Sequence, residues 1–189
     1  MAHGTTQGHW IMYERTLSSR TVYDGRVVRL EVHEVELEDG RRSIREIIRH
    51  APAVAALVRL TDGRFLLVRQ YRKAADTHLV ELCAGLREPG EPPEAAMCRE
   101  LREETGCEAS RLEHLGRVFV SPGYTDEYID LFFAECLPPT HAASLDADEA
   151  VSLVALTRTE LESQLREGSI VDGKALAAYG LARLRGILE

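Results

Sequence analysis

The sequence predicts an α+β fold. A mixed sheet, with helices between and after its strands, packs as an α/β/α sandwich behind a small antiparallel β appendage at the N-terminus. Three observations carry this. Asp-Gly pairs at 24–25, 39–40 and 62–63 each lie between strand-like runs, so the first third is antiparallel β. A helical segment opened by Pro92 and Pro93 and closed by Gly106 follows. Strand-like stretches then return before two closing helical segments.

Taken in order, Asp24-Gly25 precedes the β-branched run RVVRLEVHEVELE, and Asp39-Gly40 separates it from RRSIREIIRH. His50-Ala51-Pro52 is the one plausible break, which makes residues 1–50 the appendage and 51–189 the main domain. Residues 1–8 read as an untethered tail. Asp62-Gly63 joins AVAALVRL to RFLLVRQYR. After the helix at 92–105, strands are expected at RLEHLGRVFV, EYIDLFFAECL and AVSLVAL. Thr157 and Glu160 make a capping box for a short helix that Gly168 ends. A last helix is expected from about Asp172 to the C-terminus, with Ala177, Leu181, Leu184 and Leu188 on one face.

Composition narrows the function classes. With 44% hydrophobic and 29% charged residues in 189, the chain can bury a core and is not generally disordered. Its apolar runs are too short for a bilayer, and its start lacks the pattern of a secretory signal. A formal charge of -8 argues against a nucleic-acid footprint. Cys83, Cys98, Cys107 and Cys136 show no CxxC spacing, so reduced and mostly buried thiols in a cytoplasmic protein are expected.

The chemistry concentrates in GLREPGEPPEAAMCRELREETGC, Gly85 to Cys107. On a helical wheel Met97, Cys98, Leu101 and Thr105 form a core-facing stripe. Glu100, Glu103 and Glu104 crowd the adjoining face. Like charges one turn apart cost a helix roughly 0.2–0.5 kcal/mol each. Clustered carboxylates beside a glycine-containing loop suit a hard divalent cation. A solvated charged face would also read as RELREE; the wider pattern decides.

That pattern resembles the box of the Nudix hydrolase family, G-x5-E-x7-R-E-U-x-E-E-x-G-U, where U is a bulky aliphatic. Gly85, Glu91, Arg99, Glu100, Leu101, Glu103, Glu104 and Gly106 fall in place, and Cys107 replaces the last U. The resemblance implies Mg²⁺-dependent hydrolysis, with Mn²⁺ as a possible substitute, of a nucleoside diphosphate linked to another moiety. It implies Glu100, Glu104 and the Ala84 carbonyl as metal ligands. Glu103 would be a further ligand or would orient one, in a catalytic role, and Arg99 would pair with the carboxylates.

Three further stretches resemble the branch that hydrolyses ADP-ribose and nucleoside diphosphate sugars. VRQYRKAADTHLVELCAG resembles RQYR followed by ELPAG, with Cys83 in place of the proline. SPGYTDEYIDLFFA resembles SPGxSxE, and LDADEAVSLVALT the acidic loop that carries a late catalytic glutamate. REIIRH resembles the entry strand REIVEH, with Arg49 as a departure. By position, Arg69 and Arg72 would bind the diphosphate, and Arg45 and Glu46 the nucleobase or ribose. Glu149 would be the general base and a metal ligand. Glu127 is the rival base and a substrate contact. GDP-mannose or UDP-glucose would suit the same site, and a non-catalytic nucleotide-binding module is the alternative from another class. Neither nucleic acid nor membrane is expected as a partner. The resemblance implies a homodimer, as is usual in this branch, which would give the N-terminal strands a role.

Overall fold

A computed structural model describes residues 13–139 and 151–188. The chain divides into two compact units. One takes the chain up to His50 together with Ser121–Asp126, and the other takes Ala51–Val120 and the residues from Glu127 on.

The first unit is a three-stranded antiparallel sheet of β1 (Arg15–Asp24), β2 (Val28–Glu36) and β3 (Arg42–His50), in that order. Every residue of β1 except Leu17 is exposed, and Val35 is the buried apolar residue of this sheet. A sheet so thinly covered has little core of its own. The loop 121–126 pairs with the end of β3. Ile48 N–H donates to the Tyr124 carbonyl at 2.7 Å, and Asp126 N–H to the Ile48 carbonyl at 3.2 Å. The departure at Arg49 has a structural reason, because its guanidinium bridges Glu31 and Asp126, each at 3.0 Å. The His50 N–H also bonds Asp126. Nothing in the sequence of this loop announced that it belongs with strands more than 70 residues earlier.

The second unit is built on a seven-stranded mixed sheet: β4 (Ala53–Leu60), β5 (Phe65–Arg72), β6 (Thr77–Glu81), β7 (Cys83–Leu86), β8 (Ala109–Phe119), β9 (Tyr128–Cys136) and β10 (Val151–Leu156). The order is β10-β5-β4-β9-β8, with β6 on β5 and β7 on β4. β4 and β9 run parallel, and the other pairings are antiparallel. Strand alternation sorts the core into two layers. Val54, Ala56, Val58, Leu66, Val68, Phe132 and Ala134 pack with Met97 and Leu101 of the first helical segment. Ala55, Leu57, Phe65, Leu67, Leu131 and Phe133 pack with Leu161, Ala175, Ala178 and Ala182 of the later helices. Both faces of β4 are covered, which is why AVAALVRL reads as a continuous apolar run.

The helices are α1 (Pro93–Glu100), α2 (Arg158–Glu167) and α3 (Gly173–Leu184). α1 has a proline in its first turn and runs into a wider π-helical turn, Leu101–Thr105. Gly106, at φ 67°, ends that turn, and its N–H reaches back to the Leu101 carbonyl. Such turns recur at functional sites. The Thr157/Glu160 capping box opens α2, and Gly168 at φ 76° closes it.

The last helix corrects the sequence reading. Its buried face is Ala175, Ala178 and Ala182, whereas Leu184 is 87% exposed. The helix stops at Leu184, and Leu188 is buried beyond the Gly186 turn. Ala177 and Leu181 pack half-buried against the core as the spacing expects, and Leu184 is the departure. β6 and β7 were also not legible as strands: THLVE is half polar and CAGL only four residues long. All four cysteines are free, and Cys83, Cys107 and Cys136 are buried. Burial pushes the Cys136 thiol up to about 12. Among the described residues no helix is long and apolar enough to cross a membrane.

Candidate active site

The site grows from the packing of α1 and its π-helical turn against β7. Met97, Leu101 and Thr105 are buried and fix the rotation of the segment. That rotation turns Glu100 and Glu104 inward, at 9% and 7% exposure. Glu100 comes so close to β7 that a Cβ on Gly85 would stand 2.0 Å from its Cδ. Only glycine leaves room there, so the requirement is a close approach rather than an unusual φ. Glu104 Oε2 accepts the Ala84 N–H at 3.1 Å, which ties the second buried carboxylate to the next backbone position. Glu103 behaves differently. Its side chain is 47% exposed, so the three glutamates do not share one face as a regular wheel suggests.

Arg99 organises the loop. It donates to both Glu91 oxygens at 3.2 and 3.0 Å, to Glu100 Oε1 at 2.6 Å, to Glu103 Oε2 at 3.0 Å and to the Leu86 carbonyl at 3.0 Å. The hydrogen bonds from Arg99 hold the Glu91 carboxyl below the ordinary range. In turn the Glu91 carboxylate raises the Arg99 pKa, with Glu100 and Glu103 adding to it and burial opposing. Arg87 braces the same loop: Nη2 meets the Glu91 carbonyl at 2.6 Å, and Nη1 lies 3.6 Å from buried Asp130. Sequence reasoning passed over Arg87, although an arginine two residues after the box glycine was visible.

The other expected residues are distributed as follows. Arg69 is exposed on β5, between Ser152 of β10 and Val80 of β6, so it is an inner-strand position rather than an edge. Arg72 ends β5 and forms a two-point pair with Glu81 at 2.7 and 2.9 Å. Arg45 and Glu46 lie on β3 in the first unit, where Arg45 grips Glu14 with two nitrogens. Glu127 is half-buried immediately before β9. Glu149, with Asp146 and Asp148, lies outside the described residues. Among the described residues, no three His, Cys, Asp or Glu side chains are grouped as a closed metal site. The donor set nonetheless fits a hard divalent cation: two inward carboxylates, an adjacent backbone segment, and a cradle that one methyl group would fill.

A NUDIX domain model matches residues 49–179, which covers this whole arrangement. The chain belongs to the NUDIX family. It is therefore a Nudix hydrolase, and such enzymes are generally dependent on a divalent metal. A second model, the nucleoside diphosphate sugar hydrolase N-terminal domain, matches residues 14–48. A methanol dehydrogenase activator from Bacillus methanolicus is 40% identical over 177 residues, 93% of this chain and 96% of its own. An ADP-ribose pyrophosphatase from Bacillus subtilis is 35% identical with the same coverage. A GDP-mannose pyrophosphatase from Klebsiella pneumoniae is 30% identical over 96% of this chain and 89% of its own. The crystal structure of an ADP compounds hydrolase superposes with a TM-score of 0.81 at 24% identity, covering 93% of this chain and 96% of that one. At that identity the likeness speaks for the Nudix fold alone.

Proposed function

We propose that this Nudix hydrolase cleaves the diphosphate of ADP-ribose, or of a related nucleoside diphosphate sugar, to a nucleoside monophosphate and a sugar phosphate. The observation that carries the reading is the cradle, in which two buried glutamates are seated against Ala84 and Gly85. The match of residues 14–48 to the nucleoside diphosphate sugar hydrolase domain, and the pyrophosphatase relatives, support the substrate class.

Glu100, Glu104, the Ala84 carbonyl and Glu149 would hold Mg²⁺ or Mn²⁺. The cation supplies charge neutralisation on the diphosphate and a lowered pKa for water. Arg99 keeps Glu100 and Glu103 in place through its shared guanidinium. Glu149 takes the proton of the attacking water, and Glu127 is the rival for that step. Arg69 and Arg72 hold phosphate oxygens, since a guanidinium matches their geometry. Arg45 and Glu46 contact the nucleoside. The exposed β1 and the exposed Tyr13, Val22, Tyr23, Val27 and Ile44 support a homodimer through the N-terminal strands. The reduced cysteines agree with the cytoplasm.

Initial rates with Mg²⁺ on ADP-ribose, GDP-mannose and UDP-glucose test the reading, and no turnover of any would end it. Light scattering should give twice the 21.1 kDa chain mass, and a fully active monomer would overturn the dimer. The 40% identical relative supports a second reading, as activator of a methanol dehydrogenase. Adding the pure protein to that enzyme and following its rate tests it directly.

A further inference from the structure

Away from the glutamates of the box, four ionisable side chains meet where β5, β6 and the start of α3 come together. Glu81 is 3% exposed and Asp172 8%. Arg72 donates from Nε to Glu81 Oε1 at 2.7 Å and from Nη2 to Oε2 at 2.9 Å. Lys174 Nζ reaches the same Oε2 at 2.8 Å and Asp172 Oδ1 at 2.8 Å. Asp172 caps α3 by accepting the Lys174 N–H, and its second oxygen accepts the Leu82 N–H at 3.2 Å. Leu82 precedes the Ala84 position of the site by two residues.

The geometry uses one edge of the Arg72 guanidinium and leaves the other. Nε and Nη2 are docked on Glu81, Nη1 has no hydrogen-bond partner among the described residues, and the side chain is 43% exposed. A guanidinium anchored on one edge presents its remaining N–H groups in a fixed plane. The Glu104 carboxylate acts on Arg72 electrostatically, and Glu81, which anchors Arg72, lies three residues before Ala84 in the chain.

We propose that Lys174 is a positioning residue: by holding Glu81 it fixes Arg72, so that the outer edge of the guanidinium meets a phosphate of the substrate. The inference rests on the functional reading above, because it needs a diphosphate substrate. Lys174 also balances the charge. With Arg72 it gives two cations to two buried carboxylates. Without it, Glu81 and Asp172 share Arg72 alone, which draws the guanidinium inward and leaves net negative charge facing an anionic substrate. A lysine 102 residues downstream of Arg72 gave no sign of this in the sequence.

The test compares Lys174→Met, Lys174→Arg, Arg72→Gln and the double variant Lys174→Met/Arg72→Gln. Lys174→Met should raise the ADP-ribose KM about tenfold with a much smaller change in kcat, a ground-state binding defect. ADP-ribose binding by calorimetry in EDTA, where no metal takes part, should weaken by a similar factor. Lys174→Arg should recover most of the loss. In the Arg72→Gln background, Lys174→Met should add nothing, because it acts through Arg72. If Lys174→Met fails to fold, Asp172→Asn/Lys174→Met keeps a cap and removes the excess buried charge. It should show the same KM defect. An unchanged KM in a folded variant overturns the proposal, as does an effect that adds fully to that of Arg72→Gln. A wild-type protein that neither binds nor hydrolyses ADP-ribose, GDP-mannose or UDP-glucose overturns both this and the functional reading. An active wild type beside unaffected variants overturns the positioning role alone.

Discussion

Two of the carboxylate clusters in the second unit are stabilised in different ways. In the first, Arg99 bonds Glu91, Glu100 and Glu103, while Glu104 accepts a backbone N–H. In the second, Glu81 and Asp172 are matched by Arg72 and Lys174, two cations for two anions. Burying charge is costly unless it is paired and hydrogen-bonded. The second group meets that condition for its carboxylates with its own side chains. The first spreads one guanidinium over three carboxylates, which is how an oxygen-rich site for a cation differs from a structural ion network. Proximity of acidic residues alone does not separate the two; how each is paired and what backbone it sits against does.

The largest effect that could break this comparison is on turnover. Glu104→Gln keeps an oxygen for the Ala84 N–H but removes the charge. Its kcat should fall by more than the roughly 10–100-fold typical of residues that only support metal ligands. Circular dichroism and the melting temperature should hold, because the variant also removes a like charge from the helix. Wild-type turnover in Glu104→Gln would show that the first group is merely another ion network. Glu149→Gln should lower kcat by about 10²–10⁴-fold as a lost general base. If Glu127→Gln is the dead variant instead, the base is reassigned.

Gly85→Ala probes the cradle. The added Cβ would meet the end of the Glu100 side chain rather than backbone, so the side chain can swing aside and the fold should survive. Its carboxylate would leave the site, and the Mg²⁺ concentration for half-maximal rate should rise by about tenfold or more. A Gly85→Ala enzyme with an unchanged Mg²⁺ requirement would mean that the close approach of Glu100 has no bearing on the cation.

The second group should declare itself through pH. Burial pushes the Glu81 carboxyl up, but hydrogen bonds and charges from Arg72 and Lys174 outweigh this and bring it down to about 2. A carboxyl depressed from 4.5 contributes stability that is fully present above about pH 4.5 and is lost as pH falls towards 2. The whole contribution is of order 3 kcal/mol. Urea unfolding between pH 5 and 3 should therefore show wild type losing stability more steeply than Glu81→Gln. Parallel curves would mean that Glu81 does not carry the acid sensitivity.

How much of this could be read from residues alone differs between the two groups for a physical reason. The first is local: Gly85 to Gly106 is one continuous segment, so spacing on a helix placed Glu100 and Glu104 together. The capping box at Thr157 and Glu160 was legible on the same ground. The second group joins residues 72, 81, 172 and 174, and only the sheet and α3 bring them into reach. The pairing of the loop 121–126 with β3 was hidden for that reason too. Part of the α3 face was hidden because the alanines at 175, 178 and 182 carry a weaker hydrophobic signal than Leu184, which proved exposed. Even within the local segment the π-helical turn broke the regular wheel, and this separated Glu103 from its neighbours.

Glu103 therefore offers the smallest and sharpest test. It lies on the same turn as Glu104 and bonds the same Arg99 as Glu100, yet nearly half its side chain faces solvent. A half-exposed ion pair within one helical turn contributes about 0.3–0.5 kcal/mol. Glu103→Gln should therefore shift unfolding by no more than that. If Glu103 only steadies Arg99, the Mg²⁺ requirement should stay put and the rate should fall modestly, because Glu91 and Glu100 still hold the guanidinium. If it is instead a ligand that turns inward when the cation is present, the Mg²⁺ requirement should rise as steeply as in Glu104→Gln. Mg²⁺ titrations of the two variants, run side by side, decide whether the first group holds its cation with two carboxylates of the box or with three.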